Sequence, residues 1–383
     1  MRTLEGFITM IPFLKPNLDL SSFGERLSEL TVGWYSNFGP VETQYCDAMR
    51  VQFFRPDHHI VGVNNATVGL SVALRMVDEA FHDTPAEIVL CPSFTFAATG
   101  LAALSIGKKV VFYDLDRQFQ PDLNQILGFM DAQAGAPVSL ILYETFGNQI
   151  DPAILDSLHD KGIPYVLDCA ASLTLPSNHK TRRPKCIQVF STHATKPFPT
   201  IEGGLIVCNG DELDLLQIRS YLNFGFRGSR CAQVNATNGK LGEMHSLVGL
   251  GTVERFPALM RSYHERANRY RERLHDILAP MPQHGHEPAY QFFPCLLKDG
   301  LPAKDIIAKL TNQEEFGTGR YFVPCLHEQP AFSEATCAGP LHGTQWLADH
   351  IIALPLYSSL SMQDVDRICD RVLEAADARV SVM

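Results

Sequence analysis

The sequence predicts an α/β protein, a large part with a mostly parallel sheet between helices followed by a smaller α+β part, and three observations carry that reading. From about residue 58, short apolar runs alternate with segments of helical period, the pattern of strand and crossover-helix units. Several of the apolar runs are hydrophobic at successive positions, as strands buried on both faces are. After Leu241 the alternation stops and a long helical segment follows. At 383 residues the chain has room for two domains of roughly 100 to 200 residues each.

Taken in order, residues 60–63 read as a strand, 67–81 as a helix, 87–90 as a strand and 96–104 as a helix. Residues 110–113, 138–143, 165–168, 187–191 and 205–208 supply further strands. Residues 243–274 read as helix, and 280–288 is rich in Pro, Gly and His. The tail mixes a strand at 290–297 with helices at 302–310 and 362–375. The expected division is a large domain over residues 1–250 and a small one over 251–383.

Composition narrows the function. A hydrophobic content of 45% and a charged content of 19% are those of an ordinary globular protein. A formal charge of -10 and the absence of a long Lys/Arg block argue against a nucleic-acid surface. The densest basic run, His-Lys-Thr-Arg-Arg-Pro-Lys at 179–185, reads as a solvated loop, with a nucleotide diphosphate contact as the sharper alternative. Ten cysteines occur without a CxxC pair, so neither a zinc site nor a disulfide framework is expected, and most sit in apolar runs as reduced core cysteines do. No metal is expected. No stretch approaches the roughly 18 apolar residues of a membrane span, and the N-terminal segment has an acid and a proline where a signal peptide stays apolar. The expectation is a soluble, cytoplasmic protein.

Lys196 lies in Val-Phe-Ser-Thr-His-Ala-Thr-Lys-Pro-Phe-Pro-Thr-Ile-Glu-Gly-Gly, residues 189–204, between a short strand and a diglycine. Most lysines are solvated surface charges, but this one has suggestive company. Asp168 ends an apolar strand, and an acid at the carboxyl end of a parallel strand faces the crevice where such sheets bind ligands. Residues 63–70, Val-Asn-Asn-Ala-Thr-Val-Gly-Leu, pass from strand to helix, where the amides of Ala66, Thr67 and Val68 and the Thr67 hydroxyl could cradle a phosphate. Ser191 offers a second hydroxyl, and Phe96 in Pro-Ser-Phe-Thr-Phe-Ala-Ala-Thr a flat apolar face. A lysine amine, a carboxylate able to keep a pyridine nitrogen protonated, and a phosphate cradle are the set that pyridoxal phosphate chemistry needs. Lys196 then requires a lowered pKa, expected from burial beside Phe190 and Phe198, while Gly203 and Gly204 are expected to turn the backbone sharply.

In sequence order these segments resemble the DegT/DnrJ/EryC1/StrS family of sugar aminotransferases of fold type I. Gly-Trp-Tyr-Ser-Asn-Phe-Gly-Pro at 33–40 is similar to the family's N-terminal Gly-Trp…Gly-Pro, residues 92–99 to its Pro-x-x-Thr-Phe-x-Ala-Thr, and residues 190–204 to its Phe-Ser-x-x-x-x-Lys…Glu-Gly-Gly. Asn-Gly-Lys-Leu-Gly-Glu at 238–243, the segment 320–330 and Leu-Pro-Leu at 354–356 resemble its later signatures.

The resemblance implies a pyridoxal-phosphate homodimer with active sites at the subunit interface, moving an amino group from L-glutamate, with release of 2-oxoglutarate, to a nucleotide-linked keto-deoxysugar. On that pattern Lys196 bonds the cofactor, Asp168 pairs with its pyridine nitrogen, Phe96 stacks on its ring, and Thr67 and Ser191 hold its phosphate. Asn238 would reach the partner subunit's cofactor, and Trp34, Tyr321 and His327 match positions near the sugar pocket. Arg183, Arg227 and Arg230 are candidates for the nucleotide's phosphates. Two departures stand out: Ala66 where the family commonly has glycine, and Ala171 where it commonly has Gln or His. A dehydratase, a cyclitol aminotransferase and a non-catalytic binding protein are the rivals. Dehydratase relatives replace the lysine, so Lys196 favours transamination.

Overall fold

A computed structural model describes residues 10–21, 23–29, 37–281, 284–311 and 315–377. In chain order the elements are α1 (Phe23–Glu29), α2 (Pro40–Phe53), β1 (His58–Val63), α3 (Ala66–Phe81), β2 (Ile88–Pro92), α4 (Ala97–Leu104), β3 (Lys109–Tyr113), α5 (Leu123–Ala132), β4 (Val138–Tyr143), α6 (Pro152–Asp160), β5 (Tyr165–Asp168), β6 (Cys186–Ser191), β7 (Gly204–Asn209) and α7 (Leu215–Leu222). There follow α8 (Glu243–Leu274), β8 (Phe293–Leu296), α9 (Ala303–Thr311), β9 (Thr336–Cys337), α10 (His342–His350), β10 (Ile351–Leu354) and α11 (Met362–Asp377). The strands and helices expected up to residue 274 are present, their ends shifted by at most a few residues. Of the strand expected over 290–297, only Phe293–Leu296 forms, paired antiparallel with β10.

The large sheet runs β1-β7-β6-β5-β4-β2-β3-β9. Every neighbouring pair is parallel except those made by β7, which is antiparallel to both β6 and β1. Because β7 is reversed, its first residue lies level with the last residues of its neighbours: Val63 of β1 pairs with Gly204, and Gly204 with Ser191 of β6. Further along the same edge Val189 pairs with Asp168, and Asp168 with Tyr143. The carboxyl ends of β1, β4, β5 and β6 therefore converge with the start of β7, which is where α/β sheets bind ligands.

The sheet separates two apolar layers. On one face α3 covers Val63, Val189 and Ile206, while on the other Phe190, Leu205 and Val207 pack with Tyr45, Phe53 and Phe256 of α2 and α8. Successive residues such as Val189 and Phe190 fall in opposite layers, the two-residue period of a strand buried on both sides. β9 brings Thr336 and Cys337 from the C-terminal part onto the β3 edge, opposite Val111 and Phe112. Eight cysteines are buried and all ten are free thiols, as expected of reduced core residues. No helix among the described residues is long and apolar enough to cross a membrane.

Asp78 near the end of α3 is buried with Lys108, their charges 2.5 Å apart, and also accepts from the Ser139 hydroxyl and the Ala86 amide. Burial pushes its carboxyl up, yet bonds from His82 and Lys108 hold it below the ordinary value. Removing one partner of a buried pair leaves the other charge uncompensated, at a cost of about 3–5 kcal/mol. Lys108→Met is therefore expected to lose that much stability in equilibrium denaturation, and Asp78→Asn in the same background to recover part of it.

Candidate active site

The convergent strand ends open into a cavity of about 360 Å³ whose lining includes Thr67, Phe96, Asp168, Ser191, Lys196 and Tyr321. Six positions singled out in the sequence, drawn from five stretches of chain, thus share one enclosure, as do Ala66 and Ala171.

Asp168 is 3% exposed. Its Oδ2 accepts from the Thr99 hydroxyl at 2.8 Å and its Oδ1 from the Ala170 amide at 3.1 Å. Thr95 bonds Thr99 in turn, hydroxyl to hydroxyl at 2.9 Å, so the carboxylate is fixed in one orientation. Burial pushes it up to about 6, against the two hydrogen bonds and the Lys196 charge, which favour the ionised form. Burial lowers Lys196 to about 8, opposed by Asp168. The expected lowering is present, but its apolar surroundings differ from those expected. Phe146, Phe292 and Phe322 line the cavity, while Phe190 and Phe198 are core residues outside it. Lys196 Nζ donates to Gln291 Oε1 at 2.8 Å.

The start of α3 is capped by Asn65, whose side chain accepts from the Val68 amide at 2.9 Å. This removes Val68 from the expected cradle: its amide is already used, and it packs in the core layer under α3. The amides of Ala66 and Thr67 stay in the first turn, where no intrahelical acceptor reaches. Gly204 shows why the diglycine is needed. A Cβ there would lie 2.5 Å from the Phe190 carbonyl and 3.2 Å from the Ala66 amide nitrogen, and one at Gly203 within 2.6 Å of the Thr192 and Thr200 hydroxyls. Close approach accounts for both glycines. Neither has a positive φ; the left-handed residue of the turn is Ile201, at φ 74°.

Other expected residues lie elsewhere. Arg183 is buried, 3.8 Å from Glu144, and bonds Gln188 Oε1 at 3.1 Å. Arg183 thus folds inward to neutralise a buried acid and is spent there, not on a nucleotide, while Lys180, Arg182 and Lys185 stay exposed as the solvated-loop reading expects. Glu144, Cys169 and His179 bring ligand atoms within 4.8 Å of one another. His179, however, spends both ring nitrogens on Gln188 and Ser172, which with Arg183 makes this a charge-balanced core contact. His327 bonds the Ser93 hydroxyl at 2.6 Å and is not part of the cavity lining. Arg227 pairs with Glu79 at 2.9 Å. Arg230 and Asn238 share a separate depression with Lys240, outside this chain's cavity, and Trp34 lies outside the described residues.

The sequence reading missed Thr99, Tyr143, His193, Thr195, Gln291, Phe292 and Phe322. Thr99 and Thr195 sit inside the motifs already noted and carry a local signal. Gln291 and Phe292 come from a segment without one.

The residues lining the cavity fit pyridoxal phosphate. Phe96 is 58% exposed at the cavity, an apolar face that a flat ring would cover. A Cβ at Gly204 would crowd the amide of the anion cradle, and a buried acid of raised pKa stands in the same enclosure as an amine of lowered pKa. Such a site at the carboxyl edge of this sheet is that of a pyridoxal-phosphate-dependent aminotransferase. The profile of the DegT/DnrJ/EryC1/StrS aminotransferase family matches residues 23–373, and the chain belongs to that family. A dTDP-4-amino-4,6-dideoxy-D-glucose transaminase of Shigella dysenteriae is 26% identical, covering 95% of this chain and 99% of its own. The crystal structure of DesI in the presence of its TDP-sugar product superposes with a TM-score of 0.84 at 25% identity, over 98% of this chain and 95% of DesI. A Streptococcus pneumoniae chain solved in its PLP form shares the fold, with a TM-score of 0.80 at 20% identity over 96% of this chain and 99% of that one.

The raised Asp168 carboxyl has a measurable signature. Between its unfolded value near 3.8 and its folded value of about 6, the folded apoprotein binds more protons than the unfolded chain, so stability falls as pH rises through that window. The fall amounts to about 3 kcal/mol. Asp168→Asn lacks this titration, so apoprotein denaturation profiles from about pH 4 to about pH 7 should show the variant gaining on the wild type. Parallel profiles would refute the assignment.

Proposed function

We propose that the protein transfers an amino group from L-glutamate to the ketone of a nucleotide-linked keto-deoxysugar, as a homodimer in the cytoplasm. The observation that carries the chemistry is the placement of Lys196 and Asp168, one amine and one carboxylate of shifted pKa, in a single cavity. The family match and the Shigella transaminase support the sugar as acceptor. Asn238 lies outside its own chain's cavity beside Arg230 and Lys240, which supports a role across a subunit boundary.

When bound, pyridoxal phosphate supplies an aldehyde and a ring that withdraws electrons from the bond being broken. Ala66, Thr67 and Ser191 are placed to hold the phosphate, Phe96 to flank the ring and Asp168 to meet the ring nitrogen. Lys196 Nζ, at about 8, is neutral in a useful fraction of molecules near neutral pH, so it can act as nucleophile and afterwards take and return a proton. The Asp168 carboxylate, tied to Thr99 and Ala170, cannot swing away, and its negative charge stabilises a cation placed against it. The aromatic wall of Phe146, Phe292 and Phe322 keeps water from the amine.

The assay is release of 2-oxoglutarate from L-glutamate by the cofactor-loaded enzyme across a panel of nucleotide-linked 3-keto and 4-keto sugars. Turnover with at least one is expected, with ping-pong kinetics. Lys196→Ala should lose at least about 10³-fold of both half-reactions, the scale of losing a nucleophile that is also the acid–base group. Near-normal rates in that variant, or no reaction with any sugar, would refute the proposal.

A further inference from the structure

We infer that Gln291 is the positioning residue for the Lys196 amine, and that the way its amide faces is set by a hydrogen-bond relay through Thr195 to His193. The inference rests on reading Lys196 as the reactive amine.

The contacts run unbroken. Lys196 Nζ donates to Gln291 Oε1 at 2.8 Å, and Gln291 Nε2 donates to Thr195 Oγ1 at 2.9 Å. Thr195 Oγ1 lies 2.9 Å from His193 Nδ1, and His193 Nε2 lies 3.3 Å from Glu202 Oε1. Elementary donor counting gives the chain one direction. A lysine ammonium has donors only, so Gln291 must turn its oxygen toward it and its NH₂ toward Thr195. The Thr195 hydroxyl, having accepted, has its proton left for His193 Nδ1. That nitrogen also receives the Thr195 backbone N–H at 3.2 Å and is therefore the unprotonated one. Nε2 then carries the proton, with Glu202 Oε1 3.3 Å away. Each group donates to the next, from the amine outward, and bonds aligned in this way polarise one another.

The relay ties together parts of the chain that the motifs leave separate. Gln291 comes from the segment leading into β8, and its neighbour Phe292 anchors that segment by stacking on Phe13 and Tyr321. Gln291 takes one N–H of the lysine, whose amine lines the cavity. An amine that must be released and then move a proton needs such a fixed direction, because misplacement of a reacting group costs rate steeply. Without Thr195 the Gln291 amide could rotate and offer NH₂ to an amine that has no acceptor to give while charged.

The test is the protonation of Lys196 in the apoprotein, read by mass spectrometry from the pH dependence of its acetylation by acetic anhydride. The titratable groups lining the cavity with Lys196 among the described residues are Asp168, Tyr143, Tyr321, His193 and Glu202, and all are retained in the Gln291 variants. Gln291→Met removes an acceptor that favours the charged amine, so the midpoint should fall by about half a pH unit or more; Gln291→Glu adds a negative charge at the same reach and should raise it by about one unit. Thr195→Val should follow Gln291→Met, and Thr195→Ser, which keeps the hydroxyl, should match the wild type. Shifts of the same sign in Gln291→Met and Gln291→Glu, profiles superposing on the wild type, or a Thr195→Ser profile that follows Thr195→Val would overturn the inference, since only the hydroxyl-dependent orientation of Gln291 separates the two Thr195 variants. In the loaded enzyme, Gln291→Met should lower kcat about tenfold with KM for L-glutamate within about twofold, the scale of one hydrogen bond to a reacting group; a change confined to KM would overturn it as well. The apoprotein titration needs no substrate, so it judges Gln291 even if the amino donor or the sugar proposed above is wrong.

Discussion

Everything at the active edge depends on keeping two opposite charges out of water without letting them neutralise by folding away. Asp168 would ionise freely in solvent, yet at the end of β5 it is 3% exposed and shifted to about 6. Lys196 is shifted the other way, to about 8. Burial is the larger cause in both cases, and mutual attraction only tempers it. A cavity held in that condition carries a free-energy cost in the apoprotein, and on the proposed reading it favours a bound cation against the acid and a neutral amine.

Two features of the fold maintain this state. One is the reversed strand β7, which places Gly204 level with Val63 and Ser191, so that the start of α3 and the end of β6 meet across a residue with no side chain. The other is the aromatic assembly of Phe13, Phe146, Phe292, Tyr321 and Phe322, whose rings lie 4.8–5.8 Å apart where they stack or meet edge to face. It joins the N-terminal segment and the C-terminal part over the cavity. Lys196 is thus roofed by pieces of chain far from it in sequence, and Gln291 reaches it from the same roof.

Much of this was legible in the sequence, for identifiable reasons. Strands buried on both faces are apolar at successive positions, so β1 to β7 could be read as runs. Asp168, Thr67, Ser191 and Lys196 sit at strand-to-turn junctions, which the local pattern marks. Phe96 was singled out by its motif company, and the fold places it at the cavity. Arg183 and Val68 failed because sequence shows a residue's chemistry and not its partner. A guanidinium in a basic run looks solvated until Glu144 is found beside it, and a helix-start amide looks available until Asn65 takes it.

By itself the sequence determined the α/β class, the order of the elements and the family's lysine and aspartate, because each depends on local periodicity or on a contiguous motif. Tertiary structure alone decided the sheet order, the close approach of Ala66 that requires glycine at 204, and the Lys196–Gln291–Thr195 contacts. Those arise where chain segments separated by tens to hundreds of residues come within hydrogen-bond distance, and no local pattern encodes which side chain will stand opposite another. Lys196 could be recognised from its neighbours in sequence; the direction in which its amine points is fixed by a glutamine 95 positions away.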